Sequence, residues 1–258
     1  MSMHDLWTLS GKRALVTGGT KGIGRAAAES LMDLGARVLV VGRDPGTVEA
    51  TRSAWQAEGR DGDAVVADVT TPAGRAALME EVDGRWGALD ILVNNVGAGL
   101  RKPVTELTEE DVEGLVARNF TSALHVSRLL FPLLGAGRDV AVVNVGSIAG
   151  MRSVRGSAVY GALKAAIHQL TLTLAVEWAP RRIRVNAVAP WFTRTPLAQG
   201  ILDQPEAHAN IVARTPLGRV AEPSEVAAAI TFLCLPAASY VTGHTLVVDG
   251  GMSAAGLL

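Results

Sequence analysis

Seven short apolar runs recur along the chain, and each is continuous rather than alternating between apolar and polar positions. They lie at 13–17, 37–41, 64–67, 91–95, 140–145, 183–188 and 245–248. Valine, leucine and isoleucine are prominent in these runs. Continuous runs of such residues are typical of strands that are covered on both faces. We therefore predict seven buried strands.

Segments with a helical period separate these runs. They cover 23–34, 47–58, 74–86, 109–130, 158–178 and 224–235. Strands that alternate with helices predict a parallel sheet with helices on both faces. Because no linker rich in proline or serine interrupts the alternation, we expect a single doubly wound, Rossmann-type α/β domain over residues 1–258.

The regular alternation breaks after the sixth run. Residues 189–222 carry several prolines and interrupt the rhythm of strands and helices. Doubly wound sheets bind ligands at the carboxyl ends of their strands, where long segments can cover the ligand. We expect residues 191–214 to form a substrate lid.

Composition and charge argue against several classes of function. The formal net charge is -1 and the pI is near 6.5, with both signs interspersed, so neither nucleic acid nor a membrane surface is an expected partner. The single cysteine, Cys234, and the absence of a signal-like apolar stretch favour a cytoplasmic location. The five histidines are scattered without metal-ligand spacing, so we expect no metal site.

A glycine-rich turn, TGGTKGIG at 17–24, follows the first predicted strand and opens a helix. Its glycines permit a tight turn and close approach of the backbone to a pyrophosphate. The N–H groups at the start of the helix favour bound phosphate. We therefore predict a dinucleotide site formed by Gly18, Thr20, Lys21, Gly22, Ile23 and Gly24.

The end of the second strand predicts which dinucleotide binds. In the sequence VLVVGRD, Gly42 takes the position where an acidic residue would accept a hydrogen bond from the ribose of NAD. Arg43 follows and offers a planar fork to a 2′-phosphate, and Lys21 adds a second positive charge. We interpret Asp44 as the cap of the helix that begins near Pro45. This pattern favours NADP(H) over NAD.

The segment SAVYGALK, residues 157–164, places Tyr160 and Lys164 one helical turn apart. Hydride transfer to a ketone leaves an alkoxide that needs a proton, which a tyrosine can supply. A free phenol has a pKa of about 10, so we expect Lys164 to lower the pKa of Tyr160. Ser147 follows the fifth strand and could bond the substrate oxygen. Asn119 could hold a water that links Lys164 to solvent.

These motifs together resemble the short-chain dehydrogenase/reductase family over nearly the whole chain. The resemblance rests on TGGTKGIG, on NNVG at 94–97, and on Asn119, Ser147 and Tyr160-xxx-Lys164 in the family's order. It implies that Tyr160 is the acid/base, that Lys164 holds the nicotinamide ribose, and that Ser147 orients the carbonyl. It further implies a proton relay through Asn119.

The same resemblance implies further cofactor contacts and an assembly. The implied contacts are Asp68 and Val69 beside the adenine, together with Asn95, Val96 and Gly97. Members of the family commonly assemble through their two long helices, here around 109–131 and 157–179. We therefore expect a homodimer or homotetramer.

One departure narrows the resemblance. Most members have Pro-Gly after the sixth strand, whereas this chain has APWFTRTPL, with Trp191 in the glycine's place. With NNVGAGLRKP, RTPLGRVAEPSEV and LCLPAASYVTGHTLVVDGG, it resembles the tropinone-reductase-like branch. The branch implies cofactor contacts at Pro190, Thr193 and Thr195. Trp191 and Phe192 join Ser147 and Tyr160 as expected substrate contacts.

The segments expected to line the pocket are largely apolar, which favours an uncharged cyclic or bicyclic ketone as substrate. We interpret Arg101, Arg152 and Arg155 as solvated surface residues. Two alternatives remain. With Lys102, the same arginines could bind a carrier protein that delivers a 3-oxoacyl thioester. A regulator that senses NADPH without catalysis is the second alternative, but it would have no use for an intact Asn-Ser-Tyr-Lys set.

Overall fold

The computed structural model of the chain describes residues 2–135 and 139–255; Met1, 136–138 and 256–258 of the expected domain lie outside the described residues. Within that part, seven parallel strands form one sheet in the order β3-β2-β1-β4-β5-β6-β7. Their bounds are β1 Arg13–Thr17, β2 Arg37–Gly42, β3 Gly62–Val66, β4 Ile91–Asn94, β5 Val140–Val145, β6 Ile183–Pro190 and β7 Thr245–Val248. The predicted strands and the single Rossmann-type fold are confirmed.

Helices flank the sheet. They are α1 Met3–Leu6, α2 Gly22–Asp33, α3 Pro45–Ala57, α4 Pro72–Trp86, α5 Glu109–Val116, α6 Ser122–Leu130, α7 Ala158–Trp178, α8 Pro196–Leu202, α9 Pro205–Ala213 and α10 Pro223–Cys234. A π-helical segment, Ala117–Thr121, joins α5 to α6, so the predicted helix over 109–130 is divided. The short helices α8 and α9, which each begin at a proline, were not predicted.

The strands are apolar throughout because each face of the sheet has its own core. In β1, Ala14 and Val16 pack into one core with residues of α2, α3 and α10. Leu15, between them, packs into the other core with residues of α4, α6 and α7. Successive side chains of a strand point to opposite faces, so two covered faces require a continuous apolar run.

The strand order reverses between β1 and β4. At this position Asn95, which follows β4, ties the ends of the two strands together. The Asn95 side chain donates from Nδ2 to the carbonyl oxygens of Thr17 and Gly18, each at 3.0 Å. Its backbone N–H donates to Oγ1 of Thr17, also at 3.0 Å. Parallel sheets bind ligands in the crevice that opens where the strand order reverses. Asn95 therefore fixes the floor of that crevice.

Helix α7 with the turn after it, Ala158–Arg181, is long and apolar enough to cross a membrane by length and composition alone, with a mean hydropathy of 1.2. Its buried residues pack against the sheet, as Leu174 and Trp178 do in the core beside β6. Leu172 and Val176 remain exposed on its outer side, at 48% and 77%. The helix is thus a core element with one uncovered apolar face.

Candidate active site

A cavity of about 620 Å³ lies at the carboxyl ends of β4, β5 and β6. Many of the residues predicted from sequence line it: Ile23, Asn95, Gly97, Ser147, Tyr160, Lys164, Pro190, Trp191, Phe192, Thr193 and Thr195. Four residues of the segment 196–204 also line it: Leu197, Ala198, Ile201 and Gln204. The cavity therefore joins the predicted cofactor, catalytic and substrate positions in one space.

Two glycines bring Ser147 and Tyr160 together. A Cβ on Gly150 would lie 2.6 Å from the backbone nitrogen of Ala165, and one on Gly161 would lie 2.7 Å from the carbonyl oxygen of Ala149. Both distances are too short for real atoms, so only glycines allow α7 to pack this closely on the turn at 148–150. That packing places Tyr160, near the start of α7, beside the end of β5.

The Ser147 hydroxyl is held by its own turn. Its Oγ accepts a hydrogen bond from the backbone N–H of Ala149 at 3.1 Å, which uses a lone pair and leaves the O–H free to donate. The Tyr160 oxygen is within its reach, and the hydrogen bond from Ser147 acts to lower the pKa of Tyr160. The serine can thus donate either to the phenol or to a substrate oxygen beside it.

Burial dominates the acidity of Tyr160. It raises the pKa of the phenol above its ordinary value, and the opposing effect of the Ser147 hydrogen bond is smaller. The net shift of the Tyr160 pKa is therefore upward, and the lowering that the sequence predicted is not found. The Lys164 Nζ lies 5.7 Å from the centroid of the Tyr160 ring. A positive charge there favours a phenolate over the neutral phenol.

Lys164 is itself buried, with 4% of its surface exposed. Its Nζ donates a hydrogen bond to the carbonyl oxygen of Val145 at 2.8 Å. Burial lowers the pKa of Lys164 to about 8, because the ammonium has lost water and gained no carboxylate partner among the described residues. The lysine is therefore poised to change its charge near neutral pH.

Asn119 lies in the π-helical segment and is buried. Its Nδ2 donates to the carbonyl oxygens of Ala98 and Leu115, at 2.8 and 3.0 Å, and its Oδ1 accepts from the N–H of Ala98 at 3.1 Å. A Cβ on Gly97 would meet both Asn119 Oδ1, at 3.1 Å, and Lys164 Nζ, at 3.4 Å. Asn119 and Lys164 therefore both lie against Gly97.

The residues of the glycine-rich turn fit a dinucleotide. No described side chain caps α2 at Lys21, and its first turn holds no acidic residue, so the N–H groups there are available to phosphate. Gly22 has φ of +58°, which side chains rarely adopt. Gly24 packs so tightly against Asn95 that a Cβ would collide with the amide. Gly18 also lies against Asn95 and Val96.

The end of β2 carries positive charge and no side chain at Gly42. A Cβ there would lie 2.8 Å from Cγ2 of Thr20, so a side chain at the position where NAD enzymes hold an acid would require Thr20 to move. Arg43 and Lys21 are exposed, and neither forms an ion pair with a described residue. Asp44 caps α3 by accepting from the N–H of Thr47 at 2.8 Å, as predicted.

The predicted adenine-side residues follow β3. Asp68 accepts from the backbone N–H and the hydroxyl of Thr70, at 2.9 and 2.7 Å. Burial acts to raise its pKa, but the Thr70 bonds and the charges of Arg43 and Arg118 outweigh it, so the pKa of Asp68 is lowered. Val69 is buried, with 3% exposed. Asp68 is thus an ionised acceptor close to Arg43.

The segment after β6 forms the opposite wall. Thr193 is buried and donates to the carbonyl oxygen of Trp191 at 3.2 Å, while Thr195 caps α8 and lies against Gly22 of the glycine-rich turn. The Trp191 and Phe192 rings pack edge to face with centroids 4.8 Å apart. The Trp191 Nε1 is buried and finds no partner among the described residues.

His168 and Arg101 are among the residues of the site that were not predicted. His168 is buried one turn beyond Lys164, and its Nε2 accepts from the backbone N–H of Ser147 at 3.4 Å. Burial and the nearby Lys164 lower the pKa of His168, which favours the neutral form that can accept. Its four-residue spacing from Lys164 was the available signal. Arg101 was interpreted as surface, yet it lines the cavity.

No group of three histidine, cysteine, aspartate or glutamate side chains is placed to hold a metal ion in the described part of the chain. The site therefore offers hydroxyl, ammonium, amide and backbone groups.

These features define a nucleotide-binding oxidoreductase: the parallel sheet, the uncapped glycine-rich turn and the arrangement of Ser147, Tyr160 and Lys164. Residues 18–253 match the sequence model of a family described as Enoyl-(Acyl carrier protein) reductase. The chain belongs to the short-chain dehydrogenase/reductase family, whose members are oxidoreductases that act on CH–OH groups.

Curated relatives and solved structures agree with this assignment. A tropinone reductase homolog of Arabidopsis thaliana is 43% identical over 257 residues, covering 99% of this chain and 97% of its own length. Another from the same plant is 46% identical over 255 residues, covering 98% and 97%. A gluconate 5-dehydrogenase from Burkholderia cenocepacia, solved with NADP and tartrate, has a TM-score of 0.94 and 31% identity, covering 99% of this chain and 100% of that chain. The resemblance to the tropinone-reductase-like branch is thereby confirmed.

Proposed function

We propose that this protein transfers a hydride between NADP(H) and a ketone or its secondary alcohol. One observation carries the proposal. Ser147, Tyr160 and the buried Lys164 line the same cavity as Ile23 of the glycine-rich turn. A hydroxyl donor, a phenol and an ammonium are the groups needed to bind a carbonyl and protonate the oxygen. A protein that only sensed the dinucleotide would not need them.

The proposed reaction assigns one role to each side chain. A nicotinamide dinucleotide bound in this cavity would supply or take the hydride. Ser147 donates a hydrogen bond to the carbonyl oxygen and holds it beside Tyr160. In the reducing direction, the Tyr160 hydroxyl gives its proton to that oxygen as the carbonyl is reduced to an alcohol. In the oxidising direction, Tyr160 takes the proton back. Lys164 stabilises the phenolate that remains.

Proton supply to Tyr160 is proposed to come from the side of Lys164. Its ammonium has a lowered pKa of about 8, so it can lose and regain a proton near neutral pH. Asn119, which lies against Gly97 as Lys164 does, holds this wall of the site through its bonds to Ala98 and Leu115. His168 holds the backbone of Ser147 from behind.

The choice of NADP(H) is proposed from the charges at the end of β2. Arg43 and Lys21 form no ion pairs with described residues, and an acid in place of Gly42 would require Thr20 to move. A 2′-phosphate would neutralise these cations, whereas a 2′-hydroxyl would not. Two solved relatives, the gluconate 5-dehydrogenase and the Pseudomonas aeruginosa RhlG, were crystallised with NADP.

The body of the substrate is proposed to be a cyclic or bicyclic ketone. Leu100, Val154, Leu197 and Ile201 give the cavity apolar walls, and about 620 Å³ accommodates a nicotinamide with a small ring system beside it. The segment 191–214, which we propose as the substrate lid, contains helices α8 and α9. Its residues line the cavity only through α8 and the turns beside it.

Homo-oligomerisation is proposed through α7. The exposed Leu172 and Val176 lie on its outer side, where an apolar surface facing water is unfavourable and a second copy would cover it. Size-exclusion chromatography with light scattering of the wild type and of a Leu172→Glu, Val176→Glu variant tests this. A shift from oligomer to monomer is expected, and a monomeric wild type would contradict it.

A panel of substrates tests the proposed chemistry. NADPH oxidation should be measured with cyclic ketones, 3-oxoacyl thioesters and quinones, alongside the affinity for NADPH. Turnover of cyclic ketones is expected. Turnover of thioesters alone would favour the alternative of a carrier-linked substrate, since the matching family is described by an acyl carrier protein. Tight NADPH binding without any turnover would favour the sensor.

A further inference from the structure

Arg101 is a cation in the wall of the cavity. Arg101 lines the cavity beside Leu100 and is also exposed to solvent, so we infer that it lies at the cavity's opening. Arg152 and Arg155, which were grouped with it from sequence, are exposed and do not line the cavity. The interpretation of Arg101 as a solvated surface residue is therefore incomplete.

The guanidinium of Arg101 has no acidic partner among the described residues. Its neighbour in sequence is different, because Lys102 Nζ forms an ion pair with Asp111 at 2.7 Å. Partial burial lowers the pKa of Arg101, and no nearby carboxylate opposes that effect. Partly desolvated charges are usually paired, so an unpaired one in a ligand cavity points to a partner from outside the chain.

The charged side chains that line the cavity, among the described residues, are all positive. The lining holds the cations Arg101 and Lys164 and no aspartate or glutamate. Lys164 already donates to the carbonyl oxygen of Val145 deep in the site. The acids of the expected lid do not change this balance, since Asp203 accepts from Gln199 and neither Asp203 nor Glu206 lines the cavity.

The guanidinium of Arg101 lies over an aromatic ring of the cavity wall. The Cζ atom of Arg101 lies 5.4 Å from the centroid of the Phe192 ring, a cation–π distance. The Phe192 ring is in turn packed against Trp191. The guanidinium is thus held against the wall of the cavity instead of extending freely into solvent.

We propose that the physiological substrate carries a carboxylate, which Arg101 binds at the opening of the cavity while the carbonyl reacts at Ser147 and Tyr160. This inference rests on the proposed function and revises the expectation of an uncharged ketone. One guanidinium balances one negative charge and pairs with a planar carboxylate through two parallel hydrogen bonds. A phosphate dianion would need more positive charge than this opening provides.

A pair of substrates isolates the carboxylate. The reduction of 4-oxocyclohexane-1-carboxylate and of its uncharged methyl ester should be compared, with NADPH, in the wild type and in Arg101→Gln, Arg101→Lys and Arg152→Gln. We expect Arg101→Gln to raise KM for the acid by about 10- to 100-fold with little change for the ester. Arg101→Lys should lie between, since it keeps the charge and loses the fork. Arg152→Gln should match the wild type.

A binding measurement that needs no turnover tests the carboxylate site independently of the proposed hydride transfer. Cyclohexanecarboxylate, which has no ketone, should be titrated by calorimetry into the wild type and Arg101→Gln, each saturated with NADP⁺. Binding lost in Arg101→Gln supports the carboxylate even if neither ketone is reduced, in which case the proposed chemistry fails alone. Equal binding to both proteins, or an equal KM change for acid and ester, would mean that Arg101 only packs on Phe192 and would overturn the proposal.

Discussion

The ammonium of Lys164 donates a hydrogen bond to the carbonyl oxygen of Val145 at 2.8 Å, in a place where almost no water reaches it. This contact ties the helix that carries Tyr160 to the end of the strand that leads to Ser147. It also leaves a charge in a setting that disfavours charge. The same contact therefore positions Tyr160 and holds the ammonium whose pKa is lowered by burial.

Burial of Lys164 should make stability depend on pH. Its pKa in the folded chain is about 8, below its ordinary value, so the unfolded chain binds the proton more tightly. The cost of the buried charge is complete below pH 8 and is relieved as pH rises toward about 10.5. Lys164→Met removes this cost. The free energy of unfolding of Lys164→Met minus that of the wild type should therefore fall by about 2 to 3 kcal/mol between pH 7 and 10.

Denaturant unfolding at several pH values checks this difference, and the comparison of two variants cancels the other groups that titrate. A difference that stayed constant from pH 7 to 10 would show that Lys164 has an ordinary pKa in the folded chain.

The glycines that bring α7 onto the turn after β5 should be sensitive to a single methyl group. Gly150→Ala would push its Cβ against the backbone of Ala165, so we expect a loss of about 1–3 kcal/mol in stability. The displacement of Tyr160 from Ser147 should reduce kcat by at least about tenfold.

Gly84→Ala is the matched control for that variant. Gly84 is exposed within α4 and a Cβ there meets nothing within 4 Å. This change should leave kcat unaltered and add up to about 1 kcal/mol of stability. Thermal unfolding and steady-state rates of both variants decide the point. Normal kcat in Gly150→Ala would show that the close packing does not set the site.

Arg43 should decide the preference between the two dinucleotides. Arg43→Ala removes a cation that has no ion-pair partner among the described residues, so NADPH should bind at least about tenfold more weakly while NADH changes little. Arg37→Ala is the control, because Arg37 begins the same strand at its other end. Fluorescence titration with both dinucleotides measures the ratio. An unaltered NADPH/NADH ratio in Arg43→Ala argues against the cofactor assignment.

Trp191 should limit the size of the substrate. Trp191→Gly removes a ring from the cavity wall, so ketones bulkier than a single ring should gain about tenfold in kcat/KM. Trp191→Phe keeps a ring packed on Phe192 and removes an Nε1 that has no described partner, so it should retain both fold stability and preference. Kinetics with a series of ketones of increasing size test both variants. Unchanged preference in Trp191→Gly would place the size limit elsewhere.

The strands and the Tyr160–Lys164 pair could be predicted because their signals are local. A continuous run of valine and leucine depends only on burial of both faces, and a four-residue spacing depends only on helical geometry. The role of Asp44 as a helix cap was readable for the same reason, since it lies directly before Pro45.

Other features depend on distant parts of the chain and could not be predicted. Burial raises the pKa of Tyr160, and that burial comes from elements far apart in sequence. The position of Arg101 in the cavity wall depends on its contact with Phe192, about ninety residues away. The division of the helix at Ala117–Thr121 has no marker as plain as a proline.

The central claim is that Tyr160 supplies the proton, and one substitution tests it most directly. Tyr160→Phe removes a single oxygen and keeps the ring; Tyr240→Phe, at the fully exposed second tyrosine, is the control. Single-turnover reduction of a cyclic ketone and the Kd for NADPH should be measured in both. We predict that Tyr160→Phe binds NADPH as the wild type does and loses at least about a hundredfold in rate, while Tyr240→Phe is unchanged. A Tyr160→Phe protein that reduces the ketone at the wild-type rate would contradict the account.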